Sequence, residues 1–274
     1  MSVLLIGGDS YLGRSIAEDC KNSGVHLISF SKRKTFSDFS YHELEDMQLS
    51  GFDYAIIIGT SGHFTLENEP RFEKWILEIF EKNKLPSFGI STIRVLDFKL
   101  NPENAYIRQN LNFEDQLLNF KSPRILRIPN FLGIVPSRNE NQAKLLPWSI
   151  LDETITTGGA RIQSSLNSSF EWVCAADIRS AISIIRKSRS KERVFELQKG
   201  FYNRMGDIVA QVQDLSLNLL QKTAIFQEIG NSNTRFLMHG TNPMSEYSWE
   251  SKLQPADFEH KYELFFNNNW GKNV

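Results

Sequence analysis

The sequence has few cysteines, almost no net charge and no hydrophobic run long enough to span a membrane. Its two cysteines, Cys20 and Cys174, are far apart and lack the spacing of metal ligands, so neither a disulfide nor a metal site is expected. The formal net charge is -1 with basic residues spread along the chain, which argues against nucleic-acid and membrane-surface binding. The opening apolar segment lacks the length and charged flank of a secretory signal. We therefore expect a cytoplasmic protein.

The pattern that is present is an alternation of apolar strands with helical segments. The 274 residues are 41% hydrophobic and 23% charged, which suits one large or two closely joined domains. The alternation predicts an α/β protein with a Rossmann-like, doubly wound parallel sheet. We expect a dinucleotide-binding domain over residues 1–135 and a smaller substrate-binding region over 136–274. Residues 170–200 are expected to return to the main sheet.

A glycine-rich turn follows the first predicted strand, Val3–Ile6, and precedes a predicted helix over 11–23. The turn reads Gly7-Gly8-Asp9-Ser10-Tyr11-Leu12-Gly13. Such a turn lets backbone approach a pyrophosphate at the positive end of the next helix, and the Ser10 hydroxyl is able to donate to a phosphate oxygen. We therefore predict that a dinucleotide is bound by Gly7, Ser10, Tyr11, Leu12 and Gly13. The alternative is a turn that serves only strand-to-helix packing.

The end of the second predicted strand, 25–30, carries basic residues instead of a carboxylate. In this fold an acidic residue at that place favours a free ribose 2′-hydroxyl, and a basic residue accommodates a 2′-phosphate. Ser31, Lys32 and Arg33 therefore predict NADP(H) over NAD(H) as the cofactor, unless they form only a solvated turn. The third strand, 53–58, runs into Gly59 and Thr60, which are expected to line the adenosine or pyrophosphate.

Further motifs follow in a recognisable order. They are the strand end Ser91-Thr92-Ile93-Arg94-Val95, Tyr106 on a helix with Glu114 downstream, Leu126-Arg127-Ile128-Pro129-Asn130, Phe170 to Ile178, and Val194-Phe195-Glu196-Leu197 followed by Met205-Gly206-Asp207. With the glycine turn, this order resembles the extended short-chain dehydrogenase/reductase family, which includes NAD(P)-dependent epimerases, dehydratases and reductases of nucleotide sugars. The resemblance covers most of the chain.

The resemblance implies hydride transfer to a keto sugar, with Tyr106 as proton donor and Thr92 polarising the carbonyl. The family has a lysine one turn after the tyrosine, and this chain has Asn110, which supplies no charge to favour tyrosinate. Three interpretations stay open. Tyr106 acts as a proton donor in ketone reduction, Arg94 or Arg108 supplies the charge, or the chain is a catalytically silent NADP-binding regulatory or scaffold protein.

The resemblance also indicates a small-molecule substrate, a nucleotide sugar. It places Asn130 and Lys144 near the substrate diphosphate, where Arg138 or Arg161 could add a phosphate contact. The amphipathic helix predicted over 70–83 has an aromatic stripe that is expected in the core, although it could also form a homodimer face.

Overall fold

The computed structural model describes residues 1–32, 34–59, 74–141, 145–188, 190–198, 200–229 and 244–270. These residues form two compact units that interleave along the chain. The first unit contains the described parts of 1–133, 173–198 and 244–251, and the second contains those of 134–172, 200–229 and 252–270.

The chain forms the following strands and helices. The strands are β1 Ser2–Ile6, β2 His26–Ser31, β3 Phe39–Ser40, β4 Tyr54–Ile58, β5 Ser87–Thr92, β6 Arg124–Ile128, β7 Asn130–Phe131, β8 Gly159–Ile162, β9 Ser169–Val173, β10 Val194–Glu196, β11 Phe201–Arg204 and β12 Ile225–Glu228. The helices are α1 Tyr11–Asn22, α2 Lys74–Lys82, α3 Ala105–Leu118, α4 Trp148–Thr157, α5 Ala175–Lys187, α6 Met205–Leu220 and α7 Pro255–Asn269.

The first unit is built on a seven-stranded sheet with the order β10-β6-β5-β4-β1-β2-β3. All of its pairings are parallel. The chain turns from β1 outward to β2 and β3, and then crosses back to β4 on the other side of β1. The carboxyl ends of β1 and β4 therefore form the topological switch point, where open parallel sheets bind ligands.

Apolar runs produce these strands because both faces of the sheet are covered by helices. Strand β4 is buried along its whole length. One core packs α1 and α5 against the sheet and includes Ile16, Ile56 and Ile182. The other core packs α2 and α3 against the opposite face and includes Ile57, Phe80 and Phe113. The α/β prediction with a parallel, doubly wound sheet is therefore confirmed.

Several element bounds differ from those expected from the sequence. The predicted fourth strand, Ser87–Ile90, continues through Thr92 as β5, and the two-residue strand β3 adds an edge beside β2. The described part of the predicted 70–83 helix is α2. Its side chains Ile76, Leu77 and Phe80 are buried, so this part of the aromatic and aliphatic stripe belongs to the core.

The second unit has two small sheets and three helices. Strands β9 and β11 pair antiparallel, and β8 and β12 pair parallel. Helices α4, α6 and α7 pack on one another, and Trp148 of α4 stacks on Phe265 of α7 with ring centroids 5.3 Å apart. Among the helices in the described ranges, none combines the length and apolarity needed to cross a membrane.

Candidate functional site

The glycine turn lies between β1 and α1 at the switch point of the sheet. The N–H groups of Gly7 and Gly8 donate to the carbonyl oxygen of Phe30 over 2.9 and 3.0 Å, which ties the turn to β2. Gly7 has a φ of +87°, a conformation that glycine adopts without strain. A Cβ on Gly13 would collide with the carbonyl oxygen of Gly7, so this glycine allows α1 to pack closely on the turn.

The Ser10 hydroxyl is used entirely within the turn. Ser10 is the N-cap of α1, where its Oγ accepts from the Gly13 N–H at 3.0 Å and donates to the Gly7 carbonyl oxygen at 2.7 Å. A hydroxyl has a single proton. In this structure the proton is therefore donated to Gly7, and the sequence expectation that Ser10 donates to a phosphate oxygen stays a prediction. The backbone N–H groups of Tyr11 and Leu12 belong to the positive end of α1.

The side chain of Tyr11 joins the glycine turn to the segment after β6. Its hydroxyl accepts a hydrogen bond from the Gly133 N–H at 3.1 Å, and its ring lies edge-on to Phe131 with centroids 5.8 Å apart. These contacts fix the start of α1 beside the carboxyl end of β6.

Gly59 follows β4 directly, at the other side of the switch point. A Cβ at Gly59 would collide with the Phe113 ring, so the glycine permits α3 to approach the end of β4. Three predicted site residues lie outside the described residues, namely Arg33, Thr60 and Lys144.

The loop that joins β2 to β3, described at residues 32 and 34–38, is bound to Asp9 of the glycine turn. The Asp9 carboxylate accepts from the N–H groups of Thr35, Phe36 and Ser37 at 2.7, 2.8 and 2.7 Å, and from the Ser37 hydroxyl at 2.8 Å. Burial acts to raise the pKa of this carboxyl, but these donors and the Ser31 hydroxyl outweigh it and hold the pKa well below its usual range. Asp9 is therefore ionised.

Two of the predicted ribose-binding residues are described: Ser31 ends β2, and Lys32 begins this loop. The Ser31 Oγ accepts from the Lys34 N–H at 2.8 Å, and the Lys34 ammonium lies 3.5 Å from a Glu43 carboxylate oxygen. Lys32 is exposed. The side chain of Ser31 thus holds the loop together.

The end of β5 presents two buried hydroxyl residues. Thr92 caps the short 3-10 helix Ile93–Lys99, and its Oγ1 accepts from the Arg94 N–H at 3.3 Å. Ser91 is buried too, and its Oγ has no hydrogen-bond partner within the part of the chain that the structure describes. A buried hydroxyl without a partner costs free energy.

Tyr106 and Asn110 lie one turn apart near the start of α3, which packs on β5. The Tyr106 side chain is 37% exposed, whereas Asn110 is 1% exposed. The Asn110 Nδ2 donates to the carbonyl oxygen of Tyr106 at 2.8 Å. The amide is therefore bonded to its own helix.

A buried ion network lies further along α3. Arg127 of β6 binds Glu114 of α3 through two hydrogen bonds of 3.0 and 2.7 Å, and its third nitrogen donates to Glu196 of β10 at 3.2 Å. Burial would lower the pKa of Arg127, but the two carboxylates outweigh it and raise that pKa. Burial raises the pKa of Glu196, and Arg127 offsets this only in part. Two carboxylates thus share one guanidinium.

The predicted substrate residues fall in both units. Asn130 is exposed and begins β7, just beyond the carboxyl end of β6. In the second unit, Arg138 pairs with Asp152 at 2.9 Å and lies 5.0 Å above the Trp270 ring. Arg161 is exposed on β8.

One edge of the first unit's sheet therefore carries most of the described candidates. The carboxyl ends of the strands place there the glycine turn after β1, Ser31 on β2, Gly59 after β4, Thr92 on β5 and Asn130 after β6. Tyr106 joins them because α3 begins at the edge where β5 ends.

The sequence analysis did not identify the contacts of Asp9 with the β2–β3 loop or the contact of Glu196 with Arg127. The available signal for Asp9 was a carboxylate inside a glycine turn, close to the expected place of a phosphate. For Glu196 it was a charged residue between Phe195 and Leu197 in an apolar strand, where burial requires a partner.

The chain is similar to known proteins in its fold but not in its sequence. No family model matches the chain, and no curated protein matches it. Among solved structures, dTDP-glucose 4,6-dehydratase from Bacillus anthracis in complex with NAD matches with a TM-score of 0.72 and 14% identity, covering 99% of this chain and 98% of that one. UDP-N-acetylglucosamine 4-epimerase from Bacillus cereus matches with a TM-score of 0.69 and 13% identity over 97% and 99% of the chains.

UDP-glucose 4-epimerase from Thermotoga maritima with UDP-glucose gives the same TM-score, 0.69, at 13% identity over 97% and 99% of the chains. The chain thus has the Rossmann-like α/β fold of the nucleotide-sugar dehydratases and epimerases. The resemblance to the extended short-chain dehydrogenase/reductase family is confirmed in its fold.

Proposed function

We propose that this protein is a pyridine-dinucleotide-dependent oxidoreductase that acts on a keto sugar carried by a nucleotide. The observation that carries the proposal is the shared edge of the sheet. The glycine turn and the start of α1 lie at the switch point, and the buried hydroxyls of β5 and the Tyr106 side chain belong to the same edge. The fold that the chain shares with an NAD-bound nucleotide-sugar dehydratase supports it.

The residues at the start of α1 fit a dinucleotide pyrophosphate. The first turn, which the structure describes throughout, contains no acidic side chain that would compete for the helix terminus. The glycines leave the backbone N–H groups of Tyr11 and Leu12 close to the end of β1, and these groups would hold the pyrophosphate. When bound, the nicotinamide would supply or accept the hydride.

In this proposal the chain itself moves one proton and orients one carbonyl. Tyr106 donates its phenol proton to the oxygen of the keto sugar, and Thr92 donates a hydrogen bond to the same oxygen. Thr92 is oriented for this by the Arg94 N–H, which occupies one lone pair of its oxygen and leaves its proton to donate. Asn110 acts as a positioning residue because its amide holds the Tyr106 carbonyl.

A catalytically silent dinucleotide-binding protein is the second candidate. The observation that favours it is the Asn110 amide, which is neutral, buried and bonded within α3. No ammonium at this position of the described helix assists proton release from Tyr106. A binding protein would use the glycine turn without turning over a sugar.

Other parts of the proposal rest on the sequence. They are the contact of Asn130 and Lys144 with the substrate diphosphate, the division of cofactor and substrate binding between 1–135 and 136–274, a homodimer, and a cytoplasmic location. Each stays a prediction. The preference for NADP(H) predicted from Ser31, Lys32 and Arg33 stands against solved neighbours that hold NAD, and the titration decides between the two cofactors.

Titration with NADH and with NADPH, followed by nicotinamide fluorescence, tests the binding step. Turnover is then tested by oxidation of bound cofactor with a set of nucleoside-diphosphate keto sugars. Binding followed by oxidation supports the oxidoreductase, and binding without oxidation for any sugar supports the silent protein. If neither dinucleotide binds at micromolar concentrations, the glycine turn is structural and both candidates are wrong.

A further inference from the structure

The loop between β2 and β3 forms an anion-binding nest. The N–H groups of three successive residues point to one carboxylate: that of Thr35 to one oxygen, and those of Phe36 and Ser37, with the Ser37 hydroxyl, to the other. Successive backbone N–H groups of this kind bind phosphates and other anions. Here the anion is the carboxylate of Asp9, held by hydrogen bonds of 2.7 to 2.8 Å.

The nest lies where the adenosine ribose of a dinucleotide is expected. It follows the end of β2, which in this fold contacts the ribose. It also touches the glycine turn, because a Cβ on Gly8 would come within 2.5 Å of the Ser37 Oγ and 2.8 Å of the Ser29 Cβ. The loop therefore already fills the space beside the second glycine.

The donors that a 2′-phosphate would need at this place are already used by Asp9. The Ser31 Oγ already accepts from the Lys34 N–H at 2.8 Å, so this side chain holds the loop as well. Phe36 is 63% exposed, and the Arg14 guanidinium lies 4.7 Å above its ring, which fastens the loop to α1. A phosphate at the end of β2 would face the Asp9 carboxylate, which already accepts from the N–H groups and the hydroxyl that the phosphate would need.

We propose that Asp9 is a specificity-determining residue that turns the nucleotide site toward NAD(H) and against the 2′-phosphate of NADP(H). This inference rests on the proposed function, and it is opposite to the preference predicted from the basic residues of the same loop. The physical cause is the repulsion between the carboxylate and a phosphate that needs the same donors, since like charges side by side disfavour binding strongly. Asp9 thus disfavours a 2′-phosphate from the glycine turn through its charge, whereas the carboxylate at the end of β2 in other NAD-binding sheets accepts from the ribose 2′-hydroxyl.

The test compares the Kd for NADH with that for NADPH in the wild type and in Asp9→Asn. The variant keeps the shape of the side chain and removes its charge. We expect the wild type to bind NADH more tightly by roughly tenfold or more, and the variant to lose most of this difference through tighter NADPH binding. Asp38→Asn is the matched control, because Asp38 belongs to the same loop but accepts from Ser29 on β2, at 2.8 Å from the N–H and 2.9 Å from the Oγ.

Tighter NADPH binding by the wild type overturns the inference, as does an NADH-to-NADPH ratio that is the same in the wild type and in Asp9→Asn. In both cases the dinucleotide-binding proposal itself survives. If the wild type binds neither NADH nor NADPH, the proposed function is wrong and the inference falls with it. Thermal unfolding shows whether Asp9→Asn is folded, and if it is not, Asp9→Ser, which also lacks the charge, is compared with the wild type in its place.

Discussion

Asn110 donates its side-chain amide to the carbonyl oxygen of Tyr106, 2.8 Å away and one turn earlier in α3. The bond keeps the amide inside the helix, so position 110 contributes no positive charge near the tyrosine. The effect of a cation introduced at position 110 therefore shows whether Tyr106 is a proton donor or only a surface tyrosine.

Replacing Asn110→Lys restores an ammonium one turn from Tyr106. If Tyr106 is the proton donor and acceptor, turnover is expected to rise by about tenfold, because the charge stabilises the tyrosinate that forms when the proton leaves. The measurement is kcat with the keto sugar found in the screen. Asn112→Lys adds the same charge at an exposed position of α3 and serves as the control. Equal kcat in both variants and the wild type would contradict a chemical role for Tyr106.

Removal of the Tyr106 hydroxyl separates binding from chemistry. Tyr106→Phe is expected to lower kcat by about 10²- to 10⁴-fold, the usual contribution of a positioned proton donor, and to leave the Kd for the dinucleotide unchanged. Both quantities are measured on the same preparation. Tyr202→Phe, which removes a hydroxyl from an exposed side chain of the second unit, is expected to change neither. Full turnover in Tyr106→Phe would assign the proton transfer elsewhere.

Arg193 holds the C-terminus of α3. Its guanidinium donates to carbonyl oxygens at and beyond the last turn of the helix, those of Leu117, Leu118, Phe120 and Pro123. Arg193→Ala leaves these acceptors without their charged donor, and we expect unfolding free energy to fall by about 2–3 kcal/mol. Urea unfolding measures the change, with Arg161→Ala at an exposed position as the control. Equal stability of the two variants would mean that water replaces the guanidinium fully.

Glu196 makes stability depend on pH. Burial raises its pKa above the ordinary value of 4.5, with Arg127 as a partial counterweight, so the folded state retains the proton to a higher pH than the unfolded state. Between 4.5 and the raised value the folded state binds more protons, and stability falls as pH increases, by up to about 1.4 kcal/mol per pH unit.

Glu196→Gln cannot titrate and keeps an oxygen that can accept from Arg127. We expect it to lose less stability than the wild type when pH rises from 4 toward neutral, as measured by urea unfolding at ~0.5-unit steps through the titration range. Glu78→Gln, on the exposed face of α2, should follow the wild-type curve. A wild-type slope that persists in Glu196→Gln would place the responsible group outside the Arg127 network.

The sequence was sufficient for the parallel sheet because its signals are local. Apolar runs such as Tyr54–Ile58 are buried on both faces, and a glycine turn that follows the first of them fixes the start of α1. The order of β5 and α3 follows from the same alternation, and it brings Thr92 and Tyr106 to one edge.

The contacts that define the ribose end could not be predicted in the same way. Asp9 binds residues 26 to 28 positions further along the chain, and no local pattern specifies such a pairing. The Ser10 hydroxyl likewise had two possible acceptors, a ligand phosphate or its own turn, and only the geometry assigns it to Gly7. Charge patterns in a sequence show which groups are present but not which donors they already occupy.

The edge strand β10 belongs to the first unit's sheet but is synthesised after part of the second unit, so the order of synthesis affects folding. It pairs with β6 and carries Glu196 to Arg127, yet it is translated only after residues 134–172 of the second unit. A nascent chain that has emerged as far as residue 135 would thus present β6 as an open edge, with Arg127 holding only Glu114. The sheet that contains the glycine turn can be completed only when the ribosome has passed residue 196, so a fragment ending at 135 is expected to depend on chaperones or to aggregate through β6.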